Sequence, residues 1–259
     1  MKKYITIIVL VVLGIASGCS KKGDLASNDS KNASGGKSGS TARIIIKGDY
    51  LYAVDNTSLK VVDISNPSNP SLAGTVNIGF GIETIYPFKD YLFIGSNTGM
   101  YVYSLSNPAK PKQLSQFQHI TACDPVVAND SLAFVTLRNN QVCHRWNDTR
   151  QIDVIDINDV MHPQLRLSYF PHFYPYGLDI LGDTLLFVCH GKDGFMVYDI
   201  NKMLKGYANA EISSVSGLDA FDVIIWQNKL FVIGKSGFYQ YDFSDIHNIK
   251  LISKILKNQ

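Results

Sequence analysis

The sequence predicts an all-β protein, a five-bladed β-propeller of four-stranded antiparallel blades. The first observation behind this is a repeat. Leu59-Lys60-Val61-Val62-Asp63-Ile64-Ser65-Asn66-Pro67-Ser68-Asn69-Pro70 joins a short apolar run to an acid and then to a turn with two prolines. Related runs return at 100–105 (MYVYSL), 152–157 (IDVIDI), 195–200 (FMVYDI) and 238–243 (FYQYDF). The second is a hairpin ahead of each run, with polar KGD, FKD, AND, LGD or QNK between two apolar stretches. The third is residue usage: 14 Tyr, 13 Phe and many Val and Ile favour strands over helices. Short strands recurring every 40 to 45 residues, with no helical period between them, mark propeller blades.

The chain has 259 residues, 46% of them hydrophobic and 18% charged, an ordinary globular composition. A formal net charge of +2 is too small to suggest a nucleic-acid partner, and no basic run supports one, so none is expected.

Met1-Lys2-Lys3-Tyr4 is a basic start, and the 11 residues from Ile5 to Ile15 are apolar apart from Thr6 and Gly14. As a helix that run would be about 16 Å long against roughly 30 Å of hydrocarbon, too short to span, so 1–18 is expected to be a signal peptide. Ala16-Ser17-Gly18-Cys19 follows, and it resembles the lipobox of bacterial lipoproteins, departing from it at Ala16. The resemblance implies cleavage before Cys19 and a diacylglyceryl group on its thiol. Residues 19–41, rich in Ser, Gly, Asn and Lys, are expected to form a disordered tether with a reach of about 25 Å. The propeller is then expected over 42–259, on an extracytoplasmic, membrane-anchored lipoprotein of the outer membrane.

Within the propeller, the second strands align on Asp49, Asp90, Asp130, Asp183 and Asn228, at spacings of 41, 40, 53 and 45. Innermost strands precede them around 44–46, 85–86, 126–127, 178–180 and 223–225. The signature runs are third strands, and outer strands follow the turn at 72–76, 113–117, 164–169, 211–215 and 251–255. The near-continuous apolar character of the strands fits blades packed on both faces. Because the first unit opens on an inner strand and the last ends on an outer one, the ring is expected to close by packing blade one against blade five. Asp63, Asp156, Asp199 and Asp242 recur at one position, with Ser104 in the second unit. They are expected to hold backbone N–H groups of the following turn.

The pattern GD/ND-Y-x-Y/F-V followed by L-x-V-V-D-I-S-N-P-x-x-P resembles the LVIVD repeat of bacterial extracytoplasmic propellers. It is clearest in the first two units and degraded in the fifth. The resemblance implies the fold and a place in the cell envelope; it brings no catalytic residues.

Residues that the repeat does not require are the candidates for function. The long spacing comes from Arg138 to Arg150 (RNNQVCHRWNDTR), between the second and third strands of blade three. By blade topology this insertion stands beside 119–124, 170–176 and 189–193. A ligand- or partner-binding surface is therefore expected at His144, Arg145, Trp146, His172, Tyr174 and His190, its partner an envelope protein or a glycan. Two readings compete: a metal site of His144, His172 and His190, joined by Asp124 or His119, and solvated loops without a ligand. Of the remaining cysteines, Cys123–Cys143 would close a loop of about 20 residues worth about 3 kcal/mol, and Cys143–Cys189 is the other pairing. No nucleophile motif, phosphate-binding loop or dinucleotide fingerprint occurs, so no catalysis and no cofactor are expected. The enzymatic alternative is a glycoside-active site with Asp124 and Asp222 at the channel mouth.

Overall fold

The computed structural model describes residues 38–118, 125–138 and 149–257. Its sheets follow the sequence in order. Blade 1 comprises β1 (Ile44–Lys47), β2 (Tyr50–Val54), β3 (Ser58–Asp63) and β4 (Ser71–Asn77). Blade 2 comprises β5 (Ile82–Phe88), β6 (Tyr91–Ser96), β7 (Gly99–Ser104) and β8 (Lys112–Gln118). Blade 3 comprises β9 (Val126–Ala128), β10 (Leu132–Arg138), β11 (Arg150–Asp156) and β12 (Gln164–Tyr169). Blade 4 comprises β13 (Leu178–Leu181), β14 (Leu185–Cys189), β15 (Phe195–Asp199) and β16 (Glu211–Val215). Blade 5 comprises β17 (Ala220–Trp226), β18 (Lys229–Gly234), β19 (Gly237–Asp242) and β20 (Lys250–Leu256). Each is a four-stranded antiparallel sheet in sequential order, and the whole is a five-bladed β-propeller.

The repeated acids act as turn formers. Asp63 Oδ1 accepts from Ser65 N at 2.8 Å, Asp156 Oδ1 from Asn158 N at 3.0 Å and Asp242 Oδ1 from Ser244 N at 2.8 Å. Ser104 Oγ takes the same role for Ser106 N at 3.1 Å. The Ser65 side chain and N–H hold the Asp63 carboxyl below the usual aspartate range, and at Asp242 the Lys229 ammonium does so first, with Ser244 adding to it. In blade 4 the turn has no proline, and the structure departs from the expected absence of helix. Ile200–Leu204 forms a short helix, α1, capped by Asp199, whose carboxylate accepts from Lys202 N. A register shift recurs in all five blades where the third strand meets the fourth, at Val61/Val62, Val102/Tyr103, Val154/Ile155, Val197/Tyr198 and Gln240/Tyr241. The repeat thus extends to a bulge that the sequence pattern alone does not display.

Hairpins between first and second strands open on a left-handed residue: Gly48, Lys89, Gly182 and Gln227, with φ of 57°, 47°, 58° and 55°. The blade 4 hairpin holds three residues instead of two, since Leu181 pairs with Leu185. Leu186, rather than Leu185, therefore takes the place of Leu51 in blade 1.

Packing between blades forms three buried clusters: between blades 1 and 2, across blades 2 to 4, and between blades 4 and 5. Among the described residues no cluster joins blade 5 to blade 1, so the expected face-to-face closure is not made. Second and third strands of blades 2 to 4 are buried on both faces, whereas those of blades 1 and 5 alternate between buried and open positions.

A strap ahead of β1 ties the inner strands together. Arg43 O accepts from Val54 N, and Ala42 O accepts from Ile85 N of blade 2. Ser40 Oγ accepts from Leu178 N of blade 4 at 2.8 Å and donates to Asp222 of blade 5 at 3.0 Å. Ser40 and Thr41, at the end of the expected tether, thus sit against the inner strands, and Ser40 is fully buried.

Candidate functional site

The chain between β12 and β13 and the turn after β14 converge over blades 3 and 4. His190 is buried, with its ring between two partners. Nδ1 lies 3.1 Å from Tyr174 O, and a carbonyl only accepts, so Nδ1 carries the proton. Nε2, 2.9 Å from Tyr198 Oη, then accepts from the phenol. Burial pulls the His190 pKa down to about 4 and pushes the Tyr198 phenol up, so both stay neutral at physiological pH. With both ring nitrogens engaged, His190 acts as a pin that fixes the backbone of Tyr174.

The rest of that segment is held as tightly. Tyr176 N donates to Cys189 O and Cys189 N to Gly177 O, both at 2.8 Å. Thr136 Oγ1 donates to Tyr176 O at 2.7 Å, and the Arg138 guanidinium lies 4.2 Å from the centre of the Tyr176 ring. Phe173 stands edge-on between the rings of His172 and His190, at 5.1 and 6.2 Å. Arg150, at the start of β11, donates to His172 O at 2.7 Å and lies 5.5 Å from the Tyr174 ring. His172 and Tyr174 remain exposed on this fixed loop.

Beside the loop a cleft of about 730 Å³ opens between blades 3 and 4. Arg150 and Gln151 line it from blade 3, Tyr198 and Glu211 from blade 4, and Phe170 and His172 form its rim. Tyr169 and Tyr198 meet edge to face at 5.6 Å, and Tyr169 Oη is used by Ala208 O and Ala210 N. Phe170, 68% exposed, also borders a second hollow of about 250 Å³ that holds Leu167, Met203 and Tyr207. An exposed aromatic ridge between two hollows, with a cation and an anion in the larger, offers an apolar anchor and polar orientation points for one ligand.

Of the expected surface, His172, Tyr174 and His190 come together, the first two exposed and His190 as their support. His144, Arg145 and Trp146 lie outside the described residues, as do Asp124, His119, Cys19, Cys123 and Cys143 and with them the Cys123–Cys143 pairing. The His144–His172–His190 metal alternative loses His190, whose ring nitrogens serve Tyr174 and Tyr198. Among the described residues no group of three or more His, Cys, Asp or Glu converges as metal ligands. Cys189 is a free thiol and fully buried, so the Cys143–Cys189 pairing is not made; burial raises its pKa well above the ordinary value.

Asp222 departs from the catalytic alternative for a physical reason. Its carboxylate accepts from Ser40 Oγ, from Thr41 N at 3.2 Å, from Thr41 Oγ1 at 2.6 Å and from Val223 N at 3.0 Å. It is a structural anchor for the strap, and burial raises its pKa against the lowering effect of these bonds. The composition of strands missed a second such acid. Buried Asp179 in β13 accepts from Ile180 N and, across the blade boundary, from Ile225 N at 2.7 Å. The apolar surroundings in LDIL were its one signal: an acid inside an inner strand needs a partner.

Residues 38–78, the strap and first blade, match the LVIVD repeat. Among solved structures, the fold is similar to that of a protein from Lactobacillus plantarum, with 12% identity and a TM-score of 0.63, over 80% of this chain and 68% of that one. It is also similar to a functionally unknown protein from Desulfotomaculum acetoxidans DSM 771, with 9% identity and a TM-score of 0.62, over 83% and 69% of the two chains. The computationally designed Ika8 protein aligns at 12% identity and a TM-score of 0.59, over 83% of this chain and 61% of its own length, so this chain spans less than two thirds of it. At such identities the likeness shows the fold alone. None of the curated proteins matches the sequence.

Proposed function

We propose that this LVIVD-repeat β-propeller is a lipid-anchored binding module of the cell envelope, capturing an envelope protein or a glycan at the surface over blades 3 and 4. The fold and the repeat support a binding or scaffolding module. The Cys19 motif and the Ser/Gly/Asn/Lys-rich segment after it support the lipid anchor and an extracytoplasmic place at the outer membrane. The single observation that carries the site is the cleft with Phe170 exposed on its rim and Arg150 and Glu211 inside. Arg150 has two duties there, positioning the His172–Tyr174 loop and placing positive charge in the cleft.

The test is capture of envelope components by the full chain carrying an affinity tag. Phe170→Ala and His172→Ala remove exposed side chains without opening a core, and each should lower capture at least about tenfold at an unchanged melting temperature. Native-level capture by both variants overturns this site. Capture of purified envelope glycan, but not of protein, would settle the ligand class in favour of sugar.

A further inference from the structure

We infer that the open face of blade 5 packs on the open face of blade 1 in a second copy of this chain, so that the protein associates head to tail. The reasoning starts from equivalent positions. Cross-strand register places Phe231, Ile233, Phe238 and Gln240 of blade 5 where blade 4 has Phe187, Cys189, Phe195 and Val197. The four blade 4 residues are fully buried against blade 5, in one cluster with Ala220, Val223 and Leu230. Their blade 5 counterparts keep the apolar character without the cover: Ile233 is 55% exposed, Phe238 37%, and Ile255, in the same row, 71%. Phe231 and Phe238 stack on this face at 5.8 Å.

The opposite surface shows the same relation at the other end of the chain. Blade 2 buries Ile85, Leu92, Ile94, Tyr101 and Tyr103 against blade 1. The corresponding residues of blade 1 are Ile44, Leu51, Ala53, Lys60 and Val62. Among the described residues no blade packs on them, and Ile44 is 60% exposed. What covers each such face within the chain is known from every internal boundary: the forward face of one blade takes the backward face of the next. Among the described residues, blade 5 keeps an open forward face and blade 1 an open backward face, and the two are not packed together. A second copy supplies each with the surface that it meets elsewhere in the fold. The polar exceptions among these positions fall one to each face, and each is satisfied within its own blade: Lys60 pairs with Asp55 at 3.5 Å, and Gln240 Oε1 accepts from Ser253 Oγ at 3.1 Å. A contact of this kind is heterologous, and two copies satisfy both ends if they close on each other.

Complementation between two variants tests the proposal. Full-length copies with two different affinity tags are co-expressed, and the fraction of one tag recovered with the other is measured. Native copies should co-purify. Ile233→Asp in both copies, or Ile44→Asp in both, should reduce recovery at least about tenfold, since each buries an unpaired charge at the contact. Both positions are exposed in one molecule, so the melting temperature of each variant should stay native. An Ile233→Asp copy paired with an Ile44→Asp copy retains one intact contact, and recovery should return. Three results overturn the inference: native copies that do not co-purify, variants that co-purify undiminished, or loss in only one variant, which would mean like faces meeting like faces.

Discussion

The strap offers the most direct test of how the first and last blades are held. Asp222→Ala removes the acceptor of four hydrogen bonds, from Ser40 Oγ, Thr41 N, Thr41 Oγ1 and Val223 N. At about 1 kcal/mol net for each, offset in part by relief of a desolvated carboxylate, the loss should be about 3 kcal/mol. For a chain of this size that lowers the melting temperature by about 6–12 °C. Gly39 and Gly177 sharpen the prediction, because a Cβ at either would collide with the Asp222 carboxylate. Gly39→Ala should therefore be destabilising in the native background and much less so beside Asp222→Ala, a coupling of more than about 1 kcal/mol in a double-mutant cycle. Urea denaturation of the full chain measures all four corners. Amide exchange adds a local readout, since Val54 N and Ile85 N bond Arg43 O and Ala42 O in the strap. They should lose protection in Asp222→Ala. A melting temperature within 2 °C of native (about the resolution expected for such shifts), with additive glycine and aspartate effects, would refute the assignment of Asp222 as the strap's anchor.

Other expectations follow from single groups. Because burial lowers the His190 pKa from 6.5 to about 4, the unfolded chain binds the extra proton first, and stability should fall as pH drops through that window. The full effect is about 3 kcal/mol, and His190→Gln should abolish this slope in acid denaturation followed by tryptophan fluorescence. Asp222 has the opposite sign: its raised pKa makes the folded state the better proton binder just above 3.8, so stability falls as pH rises through that range, a dependence that Asp222→Asn removes. Asp199→Ala, which uncaps α1, should cost about 1 kcal/mol in urea denaturation. Gln227→Gly relieves a left-handed backbone at a two-residue hairpin and should raise stability by about 0.5–1 kcal/mol after the entropy of glycine is counted. Thiol reagents should leave Cys189 unmodified in the native state and label it on unfolding.

Blade architecture was legible because it is local. An apolar run, an acid and a turn lie within a dozen residues, and the bonds that Asp63, Asp156 and Asp242 make reach two residues ahead. The site was legible only as a neighbourhood. His172, Tyr174 and His190 do meet, yet what each does depends on groups far from it in sequence. His190 turned from a candidate ligand into a support because Tyr198 and Tyr174 claim its two nitrogens. Arg150, counted in sequence as the end of an insertion, is the residue that charges the cleft. Asp222 looked like a free carboxylate at a channel mouth, and its partners in the strap lie 181 and 182 residues away. The open face of blade 1 leaves a trace in the sequence: Lys60 stands inside an otherwise apolar run, where a doubly buried strand would not tolerate it.

The long reach of the strap bears on how the chain acquires its fold. Nearly every other contact joins neighbouring blades, so structure can spread from any blade to the next as nearest-neighbour terms accumulate. The bonds from Ser40 and Thr41 to Asp222 obey a different clock. They cannot form until blade 5 exists, and closing so large a loop carries an entropy cost that local pairing does not share. Ser40 and Thr41, made before any of the blades, are thus the last to be docked. Until then Leu178 N and Asp222 at the inner strands lack the partners they have in the native state. The N-terminal edge of the fold completes only when the C-terminal blade has arrived, which makes that junction a checkpoint on whether all five blades have been built.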